Sequence, residues 1–210
     1  MYSSPLRAAQ ALETRRRIVG SARELFVEKG YAATTIAAVA RHAGVSADTV
    51  YSTFGSKIKL LQDVLSVVVG GDDQPIAFLD REGPQAMREE LDQRRQLAMF
   101  AHGMTEQLER LRPLDDVLRG AAAVDPAAAE LRFDAQVGQR RAAMTQVVRW
   151  VAARGDLRPG LTVDDAGAIV WTLTSPDVHR MLRDDCGWTS ARYTAWLHDT
   201  LVDSLLPADR

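Results

Sequence analysis

The sequence of 210 residues contains a single cysteine, Cys186, which excludes an internal disulfide framework and a cysteine-based zinc site. Long apolar runs are also missing. The longest candidate near a possible membrane span is Val67-Val68-Val69, far short of the roughly 20 residues that a helix needs to cross a bilayer. Met1 to Gln10 lack the apolar core of a signal peptide. These absences predict a cytoplasmic protein that does not enter a membrane.

Strand patterns and catalytic motifs are lacking as well. No run alternates apolar and polar residues for long, and no Asn-Gly or Asp-Gly hairpin turn occurs. The sequence has no His-Glu-x-x-His, no glycine-rich phosphate loop and no Gly-x-Ser-x-Gly motif. An enzyme would have to use Cys186 as a nucleophile, or His179 with Asp184 and Asp185 at a metal. We therefore expect an all-α protein that is not an enzyme and that needs no metal and no cofactor.

Positive charge is concentrated at the N-terminal end. Residues 1–60 contain nine Lys and Arg against four acids, a balance of +5, whereas the remaining 150 residues contain 17 basic and 24 acidic groups, a balance of −7. Such a division suggests a polyanionic partner for the first part only. A solvated basic helix face would give the same count, so charge alone leaves both interpretations open.

Capping residues divide the first part of the chain into four helices. A helix over Leu6–Lys29 ends at Gly30, and Thr34 or Thr35 can cap a short helix that runs to about His42. Ser46 caps another short helix ending near Phe54, and Ser56 caps the next. The stretch Gly70-Gly71-Asp72-Asp73-Gln74-Pro75 is the clearest break. We therefore expect one domain over residues 1–68 and a second over residues 69–210.

The second part is also predicted to be helical. One helix can run from Pro84 to about Arg112, either continuous or interrupted at Gly103, and another runs from Pro126 to Arg154. Further helices are expected over Val163–Thr174, from Ser175-Pro176, and from Thr189 to the end. The helix from Pro126 carries an apolar stripe composed of Phe133, Val137, Met144, Val148 and Val151, together with Arg141.

Two short helices joined by a tight turn with a glycine, on a longer scaffold helix, form a helix-turn-helix. The second short helix can enter the major groove of DNA, where its N-terminal side chains meet base edges. Here that helix runs from Ser46 to Phe54. Val50 and Phe54 can pack inward, whereas the small side chains between them face outward and let the helix lie deep in the groove.

Short motifs make this assignment specific. They are Arg17-Ile18, Glu24-Leu25-Phe26, Gly30-Tyr31, Thr34-Thr35-Ile36, Val39-Ala40, Ala43-Gly44-Val45-Ser46, Thr49-Val50-Tyr51, Phe54 and Ser56-Lys57. In order and spacing, over residues 12–65, they resemble the N-terminal domain of the tetracycline-repressor (TetR) family. The resemblance implies an all-helical homodimer, in which a three-helix DNA-binding domain precedes a larger helical domain for ligand binding and dimerisation. It also implies a repressor that binds a pseudo-palindromic double-stranded DNA operator and is released by a small molecule.

The resemblance also assigns roles to residues of the first domain. Thr35 and Lys57 would hold phosphates, and Lys57 follows Ser56 at a helix start, where backbone amides can bind the same oxygen. Among the consecutive arginines Arg15, Arg16 and Arg17, Arg17 is the best candidate for a contact with the DNA backbone. The expected contacts of the recognition helix are Ser46, Ala47, Asp48, Thr49, Tyr51 and Ser52. Asp48 departs from the family pattern, in which a small or neutral residue is more usual at this position. Phosphates repel a carboxylate there unless it accepts a hydrogen bond from a cytosine amino group.

The sequence of the second domain indicates its function less clearly than that of the first. An apolar or amphipathic effector is expected to contact Phe100, Met104, Arg141, Met144, Val147, Trp150 and Trp171. By position in the family, a dimer interface is expected at Ala166, Ile169, Trp196, Leu197, Leu201 and Leu205, although these residues could equally pack within one subunit. A regulator of the same fold without a small-molecule ligand, constitutive or governed by a protein partner, is the open alternative.

Overall fold

The computed structural model describes residues 5–74 and 76–208, and the regular structure in these two ranges is entirely helical. This confirms the predicted all-α class. Within the same ranges, no helix is both long enough and apolar enough to cross a membrane. The α-helices are α1 (Pro5–Ala33), α2 (Ile36–His42), α3 (Ala47–Phe54), α4 (Lys57–Gly70), α5 (Glu82–Glu89), α6 (Gln93–Ala122), α7 (Pro126–Phe133), α8 (Arg140–Ala152), α9 (Val163–Leu173), α10 (Pro176–Arg180) and α11 (Ser190–Leu205).

The helices α2, α3 and α4 begin at the predicted caps. The hydroxyl groups of Thr35, Ser46 and Ser56 each accept a hydrogen bond from the backbone N–H three residues later. This bond satisfies one of the donors that every helix leaves unpaired at its N-terminus. Thr35, rather than Thr34, is therefore the cap of α2. Thr34 is buried instead, and its hydroxyl donates to the carbonyl oxygens of Leu25 (3.0 Å) and Gly30 (2.8 Å).

The chain folds into two compact units. Unit 1 comprises residues 5–74 and 113–132, and unit 2 comprises residues 76–112 and 133–208. In unit 1, α1 packs against α2 and α4, and α2 packs against α3. The core of these four helices is made of fully buried apolar side chains: Ile18, Ala22, Phe26, Val39, Val50, Leu60, Leu61 and Val64. In unit 2, α8 packs along α9, and α11 contacts α9.

Of the two alternatives at Gly103, the structure shows the continuous helix. Gly103 lies inside α6, and the helix instead begins after an interruption at residues 90–92. Two carboxylates hold this interruption. Glu90 accepts from the backbone N–H groups of Leu91 and Asp92, and Asp92 in turn accepts from the N–H of Arg95. Such local hydrogen bonds of acidic side chains compete with the helix and then cap the next one.

The apolar stripe predicted from Pro126 onward is only partly correct. Met144, Val148 and Val151 are buried in unit 2, but Phe133 is 66% exposed. A π-helical segment, Asp134–Gln139, lies between α7 and α8. Because a π-helix holds more residues per turn than an α-helix, it shifts the residues before it away from the face that the α-helical spacing predicts.

Candidate nucleic-acid interface

The helix-turn-helix of unit 1 is formed by α2, a turn at residues 43–45, and α3. Gly44 in this turn has a φ of 65°, in the left-handed region that glycine adopts without strain. The N–H of Val45 donates to the carbonyl of Ala40 at 2.9 Å and closes the turn. Val50 and Phe54 are buried on the inner face of α3, as predicted. These contacts fix the direction in which the outer face of α3 points.

The predicted DNA contacts of the recognition helix lie at the start and on the outer face of α3. Ser46, Asp48, Tyr51 and Ser52 are exposed, and Ala47 and Thr49 are half-buried. The side chain of Tyr51 retains 53% of its surface, although tyrosine usually buries its ring. An aromatic ring and a carboxylate therefore project from a helix whose other outward side chains are small.

Hydrogen bonds already occupy most hydroxyl groups on this face. The Ser46 hydroxyl lies 2.8 Å from the Thr49 hydroxyl, and those of Ser52 and Thr53 donate to the carbonyl of Thr49 at 3.0 and 2.7 Å. Asp48 and Tyr51 differ, because their side chains make no hydrogen bond with any residue of the ranges described. These two side chains are thus the most available for an outside partner.

Lys57, a predicted phosphate ligand, is anchored within unit 1. Its ammonium group donates to the carbonyl oxygens of Tyr31 (2.9 Å) and Thr34 (3.1 Å) and lies 4.1 Å from the centre of the Tyr31 ring. Burial lowers the pKa of Lys57 from its usual value, and the carboxylate of Asp125 opposes this effect. An ammonium has three donors, so two serve the fold and one is left for a phosphate. Thr35, the other predicted phosphate ligand, is exposed at the start of α2.

The three consecutive arginines of α1 have different surroundings. Arg15 pairs with Asp63 at 2.9 Å and stacks over the Phe54 ring, whereas Arg16 pairs with Asp73. Arg17 is exposed and makes no ion pair within the part of the chain that the structure describes. Its guanidinium is therefore the one of the three without a competing carboxylate, and its contact with DNA stays a prediction.

One contact of unit 1 escaped the sequence analysis. The hydroxyl of Tyr31 donates to Asp125, which lies 94 residues further along the chain, at 3.0 Å. The second oxygen of Asp125 accepts from the N–H of Ala127 and caps α7. Burial, and then the hydrogen bond to Asp125, raise the pKa of Tyr31 to about 12. No local pattern could have predicted a contact between such distant residues.

The residues predicted to bind an effector all lie in unit 2, in different environments. Phe100, Met104, Met144 and Val147 are buried in its core, and Trp150 and Trp171 are half-buried against that core. Arg141 is exposed. Its neighbour Arg140 is half-buried instead: its guanidinium donates to the Trp171 carbonyl, lies 3.2 Å from the Thr174 hydroxyl and stacks over the Trp171 ring.

The residues predicted for a dimer interface are mostly internal. Ala166, Leu197, Leu201 and Leu205 have no exposed surface within a single chain, so they have none to offer a second one. They pack within their own unit, which is the alternative that the sequence left for these residues. Ile169 and Trp196 remain half-buried at the edge of this core, and the interface prediction therefore depends on these two.

The groups considered for catalysis are dispersed. Asp184 pairs with Arg112 at 2.8 Å, Asp185 pairs with Arg180 at 3.4 Å, and Cys186 is exposed. His179 is 2% exposed, beneath this surface. Across residues 5–74 and 76–208, no three His, Cys, Asp or Glu side chains are grouped as a metal site requires.

Comparisons with known proteins agree with the helix-turn-helix geometry of unit 1. Residues 18–64 match the family described as bacterial regulatory proteins, tetR family. The chain is 46% identical to the HTH-type transcriptional regulator SrpR of Pseudomonas putida over 59 residues, which are 28% of this chain and 28% of SrpR. The match to this curated relative thus spans little more than a quarter of its length.

Solved structures match almost the whole chain. A TetR-family transcriptional regulator from Mesorhizobium loti has a TM-score of 0.70 at 19% identity, covering 93% of this chain and 98% of that one. NalD, the secondary repressor of the MexAB-OprM multidrug efflux pump in Pseudomonas aeruginosa, has a TM-score of 0.68 at 23% identity, covering 92% of this chain and 97% of NalD. At such identities the likeness shows the fold.

Proposed function

We infer that the N-terminal domain of this chain belongs to the tetR family of bacterial regulatory proteins, whose model matches residues 18–64, and the whole chain has the fold of solved TetR-family regulators. From this premise we propose that the protein is a homodimeric transcriptional repressor. It binds a pseudo-palindromic operator through α3, and a small apolar or amphipathic ligand in unit 2 releases it. Residues 1–68 would act as the DNA-binding domain and residues 69–210 as the ligand-binding and dimerisation domain.

The observation that carries the proposal is the outer face of α3. Buried Val50 and Phe54 hold one side of the helix against unit 1, so the side with Asp48 and Tyr51 is left to solvent. A helix with small outward side chains can lie deep in a major groove, where its N-terminal residues reach base edges. Arg17, Thr35 and Lys57 are the expected phosphate ligands, and they would set the position of α3 without reading sequence.

Dimerisation follows from the form of the expected operator. Two copies of α3, related by a two-fold axis, would read half-sites about one helical turn apart, roughly 34–36 Å. The partner surface would lie on α9 and α11, around the half-buried Ile169 and Trp196. Repression is supported by the description of NalD as a repressor, and a ligand in unit 2 would act by binding the DNA-free arrangement more tightly.

Selection of duplexes from a random DNA pool tests the DNA-binding half of the proposal. Bound fragments should converge on one short pseudo-palindrome that takes two chains per duplex. The variant Tyr51→Ala should lose this enrichment, whereas Leu91→Ala, which changes an exposed apolar residue of unit 2, should retain it. Failure of the pool to converge would contradict operator recognition.

A regulator of this fold without a small-molecule ligand is the second candidate. It is favoured by the dense packing of the predicted effector residues, since Phe100, Met104, Met144 and Val147 are all core side chains of unit 2. Ligand screening against the protein bound to its selected duplex separates the two. A constitutive or partner-controlled regulator would stay on DNA with every compound.

A further inference from the structure

Two polar side chains in ring contact inside unit 2 each have a buried atom without a hydrogen-bond partner. Tyr193 is fully buried and His179 is 2% exposed, and their rings meet edge to face with centroids 4.8 Å apart. The Tyr193 hydroxyl and the His179 Nε2 are both buried, and neither has a hydrogen-bond partner among the residues that the structure describes. Buried polar groups are nearly always hydrogen-bonded, so two such atoms in one place call for an explanation.

Aromatic side chains connect this pair to the surface. The Tyr193 ring lies 5.6 Å from that of Trp196, which in turn lies 5.9 Å from that of Trp188, and both tryptophans are half-buried. We call His179, Trp188, Tyr193 and Trp196 the aromatic cluster. A π-helical segment, Met181–Asp185, separates His179 from Trp188, and Gly187 follows it with a φ of 66°. Segments of this kind are frequent at functional sites.

The charged groups that act on His179 form two ion pairs. Arg183 pairs with Glu109 at 3.0 Å, and Arg112 pairs with Asp184 at 2.8 Å. Burial, and next the positive charge of Arg183, lower the pKa of His179 to about 4, so the imidazole is neutral at pH 7.

Arg140 of α8 also acts on the Tyr193 hydroxyl, and its guanidinium donates to the Trp171 carbonyl and stacks over the Trp171 ring. The imidazole of His179 and the hydroxyl of Tyr193 are both neutral at pH 7, so the pair itself offers no charge to an ionic ligand. A charged group would also lose its hydration on entering this interior.

We propose that His179 and Tyr193 form the polar end of the effector site and bind the hydroxyl group of a neutral aromatic ligand, a phenol. This inference rests on the proposed function, because it names the ligand class of the effector that unit 2 is proposed to bind. One hydroxyl complements both atoms, since it donates and accepts at once and so fits either tautomer of the imidazole. The flat rings of Trp188 and Trp196 suit the aromatic part of such a ligand.

The two unpaired atoms favour the binding of such a ligand. Each buried polar group without a partner is destabilising, and a ligand that supplies the partner removes that cost on binding. The same ligand without its hydroxyl leaves both atoms unpaired, and sites of this type reject such analogues strongly. Selectivity for the hydroxyl, rather than affinity alone, is therefore the property to measure.

Calorimetric titration of the full chain with 4-alkylphenols from ethyl to hexyl tests the proposal. The matching alkylbenzenes and 4-alkylbenzoates, which lack the hydroxyl or carry a charge, serve as controls. We expect at least one phenol to bind at least tenfold more tightly than its alkylbenzene and its benzoate. The proposal is overturned if no phenol binds, or if phenol and alkylbenzene bind equally. Both outcomes are read on the unaltered protein, so they do not depend on a variant that folds.

The variant Tyr193→Phe keeps the ring and removes the hydroxyl. It should weaken phenol binding at least tenfold and leave alkylbenzene binding within twofold, whereas the matched Tyr31→Phe in unit 1 should leave both within twofold. Equal phenol affinity in Tyr193→Phe and the unaltered protein would contradict the assignment. Binding of the selected duplex by the unaltered protein is measured separately. An unaltered protein that binds a phenol but no duplex would defeat the proposed function alone, and one that binds the duplex but no phenol would defeat this inference alone.

Discussion

The hydroxyl of Tyr31, near the C-terminal end of α1, donates to the carboxylate of Asp125, the residue immediately before α7, at 3.0 Å. The same ring lies beneath the ammonium group of Lys57, and the same carboxylate caps α7. Tyr31 therefore connects three segments of unit 1: the end of α1, the start of α4 and the start of α7. Its side chain is 7% exposed, so this connection is made in the interior.

Removal of the Tyr31 hydroxyl should destabilise unit 1. We expect Tyr31→Phe to lower the free energy of unfolding by about 1–2 kcal/mol, because a hydrogen bond to a carboxylate is lost while the ring still packs. Urea unfolding followed by circular dichroism measures this change. All four tryptophans lie in unit 2, so their fluorescence reports the unfolding of that unit. A variant as stable as the unaltered chain would show that the bond contributes nothing.

The same bond gives a stability profile at alkaline pH. The pKa of Tyr31 is raised to about 12, above its value near 10 in the unfolded chain, so the protonated hydroxyl is favoured by folding. This contribution is fully present below pH 10 and is lost as the pH rises through 12. The stability difference between the unaltered chain and Tyr31→Phe should therefore shrink between pH 10 and pH 12. A constant difference across this range would contradict the assignment.

His179 predicts an opposite profile at acid pH in unit 2. Its pKa is lowered to about 4 from an ordinary value near 6.5, so the unfolded chain binds this proton more readily. The contribution of His179 is fully present above pH 6.5 and is lost as the pH falls through 4. Between pH 7 and pH 4.5, the loss should be about 2–3 kcal/mol by the conversion of pKa shift to free energy.

Substitution isolates this effect from that of the other titrating groups. The variant His179→Phe keeps a buried ring and should lack that part of the acid-induced loss, whereas His102→Gln, at an exposed position, should retain it. Urea unfolding at the two pH values, followed by tryptophan fluorescence, provides the comparison. If His179→Phe and the unaltered protein lose equal stability on acidification, the histidine is not held neutral by the fold.

Gly44 and Gly20 form a matched pair for the helix-turn-helix. A Cβ at either position would meet no atom within 4 Å, so only backbone conformation distinguishes them. Gly44 has a φ of 65°, and Gly44→Ala should cost about 1–2 kcal/mol of stability. Gly20 lies within α1, and Gly20→Ala should stabilise by about 0.5–1 kcal/mol. Thermal unfolding of the two variants should shift in opposite directions, and shifts of the same sign would contradict the turn geometry.

Features set by nearby residues were predictable from the sequence. The caps at Thr35, Ser46 and Ser56, and the inward positions of Val50 and Phe54, depend on contacts within one or two helical turns. These local patterns also place the outward face of α3. Most of the outward residues of α3 could therefore be predicted, although Ala47 and Thr49 are half-buried.

Features set by distant residues, or by a change of helix type, could not be predicted. The Tyr31–Asp125 bond joins residues 94 positions apart. The π-helical segment before α8 alters the helical spacing, and it is Arg140 rather than Arg141 that turns toward Trp171. The pairing of His179 with Tyr193 likewise requires α10 and α11 to be brought together, which no spacing in the sequence expresses.

Lys57 should have two separable effects. Its ammonium group holds two backbone carbonyls, so Lys57→Met should lower the stability of unit 1 by about 1–2 kcal/mol, while Lys59→Met, at an exposed position, should change it by less than about 0.5 kcal/mol. If the third donor binds a phosphate, Lys57→Met should also reduce the salt slope of DNA binding by about 1. An unchanged salt slope together with reduced stability would show that Lys57 stabilises the fold and does not bind a phosphate.

One affinity measurement tests whether the outer face of α3 reads an operator. The purified protein is titrated against its selected duplex and against a scrambled duplex of equal length, at 50 and 200 mM salt. We expect at least a thousandfold preference for the selected duplex, a steep loss of affinity with salt, and loss of the preference in Tyr51→Ala. Equal affinity for both duplexes, or a preference that survives Tyr51→Ala unchanged, would contradict this expectation.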